Sequence, residues 1–272
     1  MKSHRAKLGQ NFLADNAVLK KIVEVADIGS DDIVLEIGPG QGSLTYALCQ
    51  KAKKVIAVEK DEKLFCYLQE KFSKIKNLEL VNADILEFLA DRHFLAADLR
   101  RQGYKIVANI PYYLTSFLLR TISEMENKPS QMTLMVQKEV AERMCVKKGE
   151  MNLLALSVQM FATPEIKFFV GRKSFHPAPK VDSAVVNFTN HKLHKTQTKK
   201  NEEIIKLAKQ GFRSKRKTLA NNLTGYENLT KKEIFAILGD MELSEKIRPQ
   251  ELDLSDWQKL YKEIKIKVWK MT

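Results

Sequence analysis

Short runs of β-branched and apolar residues alternate with longer stretches of helical period through the first two thirds of the chain. Apolar runs at 33–37, 55–59, 78–81, 105–108, 132–136, 166–170 and 184–188 predict strands. Between them, 43–51, 61–74, 115–124, 137–147 and 152–161 place apolar residues three and four apart and predict helices. A further helix is expected to start near Asn16. Strands that alternate with helices bury both sheet faces, so the pattern predicts an α/β fold with a seven-stranded, mostly parallel sheet.

The pattern changes after Phe188. Residues 189–200 are polar and basic and predict a linker, whereas 202–212, 214–223, 230–238 and 255–264 return to helical spacing, several with Ser or Thr at the N-cap position. Two domains are therefore expected: 1–190, built on the sheet, and 191–272, small and all-α.

Composition narrows the class. With 44% hydrophobic and 29% charged residues, a chain of 272 residues buries a full core and is globular. No run of about 18 apolar residues occurs, and the basic start lacks an apolar segment of signal length, so neither membrane spanning nor secretion is expected. Cys49, Cys66 and Cys145 are odd in number and have no C-x-x-C spacing, which predicts neither a disulfide framework nor a metal site and fits a cytoplasmic protein. The formal net charge of +13 favours a polyanionic partner. A basic pI that serves only solubility stays open at this point.

The chemistry concentrates at the ends of the expected strands. The first strand runs into Glu36-Ile-Gly-Pro-Gly-Gln-Gly42 and then a helix, so Gly38, Gly40 and Gly42 form a turn that a ligand can approach closely. The spacing is G-x-G-x-G rather than the dinucleotide G-x-G-x-x-G, and Pro39 removes an amide that a pyrophosphate would use. Glu59 ends the second strand, where a carboxylate can accept from both ribose hydroxyls, and Asp84 follows the third, placed to accept from an adenine amino group. Either carboxylate alone also reads as a solvated or helix-capping group. In series with the glycine turn they describe a nucleoside pocket, with S-adenosylmethionine ahead of NAD.

The fourth strand ends in Asn109-Ile-Pro-Tyr112. The adenine N6 lone pair is delocalised into the ring and is a poor nucleophile. An acceptor pair formed by the Asn109 side-chain oxygen and the Ile110 carbonyl would hold both N6 hydrogens, favour a pyramidal nitrogen and aim it at a methyl group. Pro111 bends the chain, and Tyr112 would stack on the base, which also offsets the cost of unstacking it from its neighbours. The alternative is a proline turn whose aromatics cap the core.

With Gly9-Gln-Asn-Phe-Leu13, Asn82-Ala-Asp84, Gln137-Lys-Glu139, Phe175-His-Pro-Ala-Pro-Lys-Val-Asp-Ser183 and Arg213-Ser-Lys-Arg-Lys-Thr218 added in order, nearly the whole chain resembles the small-subunit ribosomal RNA adenine dimethyltransferases, relatives of the erythromycin-resistance methyltransferases. The resemblance implies a Rossmann-like class I S-adenosylmethionine-dependent methyltransferase fold. It implies two successive methylations of each of two adjacent adenosines in a hairpin near the 3′ end of 16S rRNA, within the small ribosomal subunit or its precursor, by a monomer that uses no metal. It assigns the cofactor site to Asn11, Leu13, Gly38, Gly40, Glu59, Lys60, Asp84, Ile85 and Asn109, and the target adenine to Asn109, Ile110, Pro111, Tyr112 and Phe175, with Phe175 opposite Tyr112. One departure stands out: Lys147-Lys-Gly-Glu-Met-Asn152 occupies the place of the Tyr-Gly-type turn usual in the family.

Charge then acquires a location. Residues 192–217 carry ten Lys and Arg against Glu202 and Glu203, and Arg213, Lys215, Arg216 and Lys217 are the expected RNA contacts. A second basic group, Lys2, His4, Arg5 and Lys7, precedes the first landmark and is expected to flank the RNA entrance. A solvated helix face is the competing account of both. An NAD-dependent dehydrogenase and a non-catalytic ribosome-assembly factor stand as rival functions.

Overall fold

The computed structural model describes residues 11–90, 103–191 and 195–269, with side chains from residue 199 onward in the last segment. The basic group at residues 2–7 lies outside the described residues, as do Gly9 and Gln10. The chain folds into two compact units.

The first unit, Met1–Glu142 with Ala162–His191, is the α/β unit. A short β1 (Phe12–Leu13) leads to α1 (Asn16–Val25), β2 (Ile33–Ile37), α2 (Ser43–Cys49), β3 (Lys54–Glu59), α3 (Glu62–Lys71), β4 (Leu78–Asn82) and α4 (Ile85–Ala90). The unit continues with β5 (Lys105–Asn109), α5 (Thr115–Glu124), β6 (Gln131–Gln137) and α6 (Lys138–Met144). It closes with β7 (Ala162–Val170), β8 (Phe175–His176) and β9 (Ser183–Asn190).

The sheet order is β4-β3-β2-β5-β6-β9-β7. The first five strands are parallel, and β9 runs antiparallel to both β6 and β7. This is the expected seven-stranded, mostly parallel Rossmann-like sheet. The reversal from β3 to β5 around β2 is a topological switch point, where connections leave in opposite directions and a crevice opens at the strand ends. The central strands read as unbroken apolar runs because helices cover both faces: Val34, Leu35, Val55, Ala57, Ile106 and Val107 have no exposed surface.

The second unit comprises Arg143–Phe161 and Lys192–Thr272 and contains α7 (Leu153–Gln159), α8 (Lys195–Gly211), α9 (Leu219–Leu223), α10 (Lys231–Asp240) and α11 (Leu254–Trp269). Its core joins Ala155 and Leu156 of α7 to Ile204, Leu207, Leu219, Leu223, Leu238, Trp257 and Leu260. A division at residue 190 therefore leaves α7 with the sheet, whereas its apolar stripe packs with the later helices.

Two further expectations change. The stretch 195–200 is helix rather than linker, because it holds neither Gly nor Pro and the buried stripe Ile204, Leu207 and Ala208 anchors the helix it begins. Residues 214–217 form a turn before α9, whose N-cap is Thr218. That turn is fixed from inside: the buried Asn222 amide donates to the carbonyls of Gly211 at 2.7 Å and Ser214 at 3.0 Å. Thr230 and Glu233 build a reciprocal cap on α10, as the Ser/Thr positions predicted.

Candidate active site

The glycine turn is shaped by packing as much as by ligand access. Gly38, Gly40 and Gly42 all adopt positive φ, at 64°, 58° and 81°. A Cβ on Gly42 would come within 2.4 Å of the Phe72 ring, and one on Gly40 within 3.0 Å of Phe12. Only Gly38 has open space where its side chain would be. One glycine thus faces the crevice, while the other two let α3 and the N-terminal segment close against the turn.

The carboxylates are held by backbone amides. Glu59, buried at the end of β3, accepts from Gly40 N at 3.2 Å and Asp61 N at 2.9 Å, so it ties the turn to the next strand. Burial raises its pKa, and the two amides oppose the shift. Asn82 donates to the Glu59 carbonyl at 2.8 Å, which locks the ends of β3 and β4 together. Asp84 accepts from Leu86 N at 2.8 Å and from Lys60 Nζ at 2.7 Å, and the lysine holds its carboxyl below the ordinary range.

At the end of β5 the Asn109 amide donates to the Asn11 carbonyl at 3.4 Å, which leaves its Oδ1 as an acceptor. Ile110 is buried, and its N–H bonds Met135 O at 3.2 Å, so the backbone of the tetrapeptide is fixed to β6. Tyr112 is anchored by its hydroxyl, 2.9 Å from Ser183 Oγ on β9.

Phe175 reaches the same place by an unforeseen route. Strand β8 pairs antiparallel with β1, setting Leu13 opposite Phe175 and Phe12 opposite His176. Ala14 N bonds Ser174 O at 2.9 Å, and Ser174 Oγ donates to Asp15, whose other oxygen caps α1. Two segments some 160 positions apart therefore form one wall.

All thirteen sheet-unit residues expected in the cofactor and target sites line a single cavity of about 820 Å³. Among the lining residues with no predicted role are Glu36, Phe12, Tyr113 and Phe117. Tyr113 and Phe117 are 61% and 62% exposed, which puts them at the cavity rim rather than in the core. Glu36 is 2% exposed, and its Oε2 has no hydrogen-bond partner among the described residues. Burial pushes its carboxyl up to about 8, the Glu59 charge adding to the effect and Thr45 opposing it. In sequence it reads as one more residue of a buried strand.

This donor set fits an adenosyl group with a cationic end better than a dinucleotide. Among the described residues the lining holds five acids, Glu36, Glu59, Asp61, Glu62 and Asp84, against Lys60 and Lys63 with no arginine, and the Lys60 charge is already paired with Asp84. A pyrophosphate would find few partners here.

Residues 1–260 match the ribosomal RNA adenine dimethylase family. The chain belongs to that family. Among its relatives, ribosomal RNA small subunit methyltransferase A of Dehalococcoides mccartyi (strain CBDB1) is 40% identical over 256 residues, covering 94% of this chain and 87% of that protein. The enzyme of the same name from Fusobacterium nucleatum is 40% identical over 267 residues, covering 95% and 97%. Among solved structures, a dimethyladenosine transferase from Plasmodium falciparum superposes with a TM-score of 0.80 at 29% identity, covering 94% of this chain and 98% of that one. The 23S rRNA methyltransferase ErmE superposes with a TM-score of 0.72 at 26% identity, covering 94% and 100%.

This adenine dimethylase family member is thus an S-adenosylmethionine-dependent methyltransferase with a class I fold. In its helical unit, Arg213, Lys215, Arg216 and Lys217 are exposed on the turn that Asn222 organises. Among the described residues no cluster of His, Cys, Asp or Glu could hold a metal ion, and no helix is long and apolar enough to cross a membrane.

Proposed function

We propose that the protein dimethylates the N6 amino groups of two adjacent adenosines in a hairpin near the 3′ end of 16S rRNA. The substrate is the small ribosomal subunit or its precursor, the enzyme acts as a cytoplasmic monomer, and the modification serves ribosome biogenesis. The observation that carries this reading is the convergence of Asn109-Ile-Pro-Tyr112 and Phe175 on the cavity that also holds the glycine turn, Glu59 and Asp84.

When bound, S-adenosylmethionine supplies an electrophilic methyl on a sulfonium centre. Glu59 would receive the ribose hydroxyls and Asp84 the cofactor's adenine amino group, and Asn11, Leu13, Gly38, Gly40, Lys60 and Ile85 would complete the wall. Asn109 Oδ1 and the Ile110 carbonyl accept the two hydrogens of the target N6, which localises the lone pair on nitrogen and aligns it for in-line attack. Pro111 sets the bend that separates the two acceptors. Tyr112 and Phe175 grip the base between them, each stacked face contributing on the order of 1–3 kcal/mol. Transfer of the methyl group to N6 would leave the electron pair of the broken C–S bond on sulfur and release the N6 proton to water. No side chain is needed as a base, because the attacking nitrogen becomes acidic once methylated. Arg213, Lys215, Arg216 and Lys217 bind phosphates and position the RNA.

The test is methyl transfer from S-adenosylmethionine to small subunits that lack the modification, with products mapped by mass spectrometry. Two neighbouring N6,N6-dimethyladenosines are expected. Methyl groups on another base type, or on the large subunit alone, would overturn the reading. Calorimetric titration separates the dehydrogenase alternative, which requires NAD to bind in preference to S-adenosylmethionine.

A further inference from the structure

The last helix, α11, has two unlike faces. Trp257, Leu260 and Ile264 form its buried stripe, none more than 2% exposed. Lys262, Lys265, Ile266 and Trp269, spaced three and four apart, share another face, where Ile266 is 38% and Trp269 78% exposed. With Lys200 and Tyr261 these residues line a groove of about 350 Å³ within the helical unit. Packing accounts for the first face. The second face sets an exposed indole among lysines.

We propose that this groove binds unpaired RNA, with one base stacked on the Trp269 indole and the adjoining phosphates held by Lys200 and Lys262. The proposal rests on the reading of the protein as an RNA methyltransferase and adds a grip on the RNA separate from the target-adenine site. The groove is partly preformed. Tyr261 donates its hydroxyl to Glu203, and Lys265 lies 5.7 Å above the Tyr261 ring while pairing with Glu203 at 3.5 Å and Glu227 at 3.6 Å. Those interactions engage Lys265 and fix the floor. Among the described residues Lys200 and Lys262 make no ion pair, so their charges are available to phosphate. Cations interleaved with a flat π-face are the combination that holds single strands without sequence preference. A membrane-surface helix needs a continuous apolar face, and here Lys262 and Lys265 interrupt it.

The chain contains two tryptophans, and Trp257 is fully buried, so a quencher that stacks reports on Trp269. Titrating the full-length protein with an unstructured oligoribonucleotide should quench the exposed tryptophan emission. Trp269→Ala should abolish the quench and weaken binding about tenfold, while Trp269→Phe should keep most of the affinity, because any aromatic face stacks. Lys200→Ala with Lys262→Ala should lower the salt slope of binding by about 0.7 for each phosphate that is no longer neutralised. In methyl transfer to small subunits, Trp269→Ala should raise KM and leave kcat unchanged. An absent quench, or wild-type affinity and KM in Trp269→Ala, overturns the proposal. So does equal quenching by anionic phospholipid vesicles or by an acidic peptide. If the wild-type protein transfers no methyl group to RNA but the quench and its salt slope persist, the proposed reaction fails and the groove stands.

Discussion

The cavity of the sheet unit and the basic surface of the helical unit are built on opposite principles. In the cavity, the polar groups assigned to the ligands are immobilised: Glu59 by two amides, Asp84 by an amide and Lys60, Asn109 by Asn11, and Tyr112 by Ser183. On the helical unit, Arg213, Lys215, Arg216 and Lys217 extend into solvent from one organised turn. A group that must meet a reacting atom has to be placed to within fractions of an ångström, and concave packing around it supplies that precision. Phosphate attraction acts over several ångströms and tolerates mobile side chains. Single substitutions should therefore act sharply in the cavity and by increments on the basic turn.

The largest effect is expected from Asn109→Ala. It removes one acceptor for the N6 hydrogens and should lower kcat about 100- to 1,000-fold, as the loss of a preorganised transition-state hydrogen bond does elsewhere, with RNA affinity unchanged. A parallel loss of RNA binding would break the separation between the two regions. It would also favour the assembly-factor alternative if methyl transfer proved absent from the wild type.

Next comes replacement of Arg213, Lys215, Arg216 and Lys217 by Ala. The slope of log affinity against log salt should fall by about three, at unchanged kcat under saturating RNA, as filter-binding and kinetic titrations would show. An unchanged slope would remove this turn from the RNA surface. Replacing the residues one at a time should divide the effect nearly evenly, since dispersed phosphate interactions add.

Gly211→Ala tests whether packing of the helical unit is as exacting as that of the cavity. The new Cβ would lie 2.4 Å from the Trp257 ring, where overpacking costs about 1–3 kcal/mol. Thermal unfolding followed by near-ultraviolet dichroism should show a lowered transition. A variant as stable as the wild type would mean that the Phe212–Trp257 stack, 5.4 Å between centroids, slides aside at no cost.

The last effect is confined to a pH window and concerns Glu36. Its carboxyl titrates near 8 when folded against an ordinary value of 4.5, so between those pH values the folded state keeps a proton that the unfolded chain has released. Stability should consequently fall as pH rises through that window and level off above it. Glu36→Gln keeps the shape without the titration. Its melting temperature should gain progressively on the wild type between pH 5 and pH 8.5, measured by calorimetry. Parallel pH profiles for the two proteins would place the ionisation elsewhere in the cavity.

Much of this was legible in the primary structure because the signals are local. Strand β2 and helix α5 have the bounds that periodicity predicts, and the capping residues Asp61 and Thr230 mark their helices. The order of the glycine turn, Glu59, Asp84 and Asn109 follows strand by strand, since parallel strands deliver their carboxyl ends to one rim. The pairing of β1 with β8 was not legible. Two residues in each strand carry no periodic signal, and register across some 160 positions is a tertiary fact. The membership of α7 was hidden for the same reason: an amphipathic helix states that it has a buried face and not which neighbour buries it.

The amino-acid sequence by itself therefore determined the alternation of strands and helices, the chemistry available at each strand end and the concentration of basic residues after residue 190, because each depends on neighbours along the chain. Only the tertiary structure decided that Phe175 shares a cavity with Leu13 and that Glu36 titrates near 8. It alone decided that Trp269 stands in solvent while Trp257 is enclosed. Burial, and the dielectric and access that come with it, belong to the packed chain, where residues distant in sequence exclude water from one another or fail to.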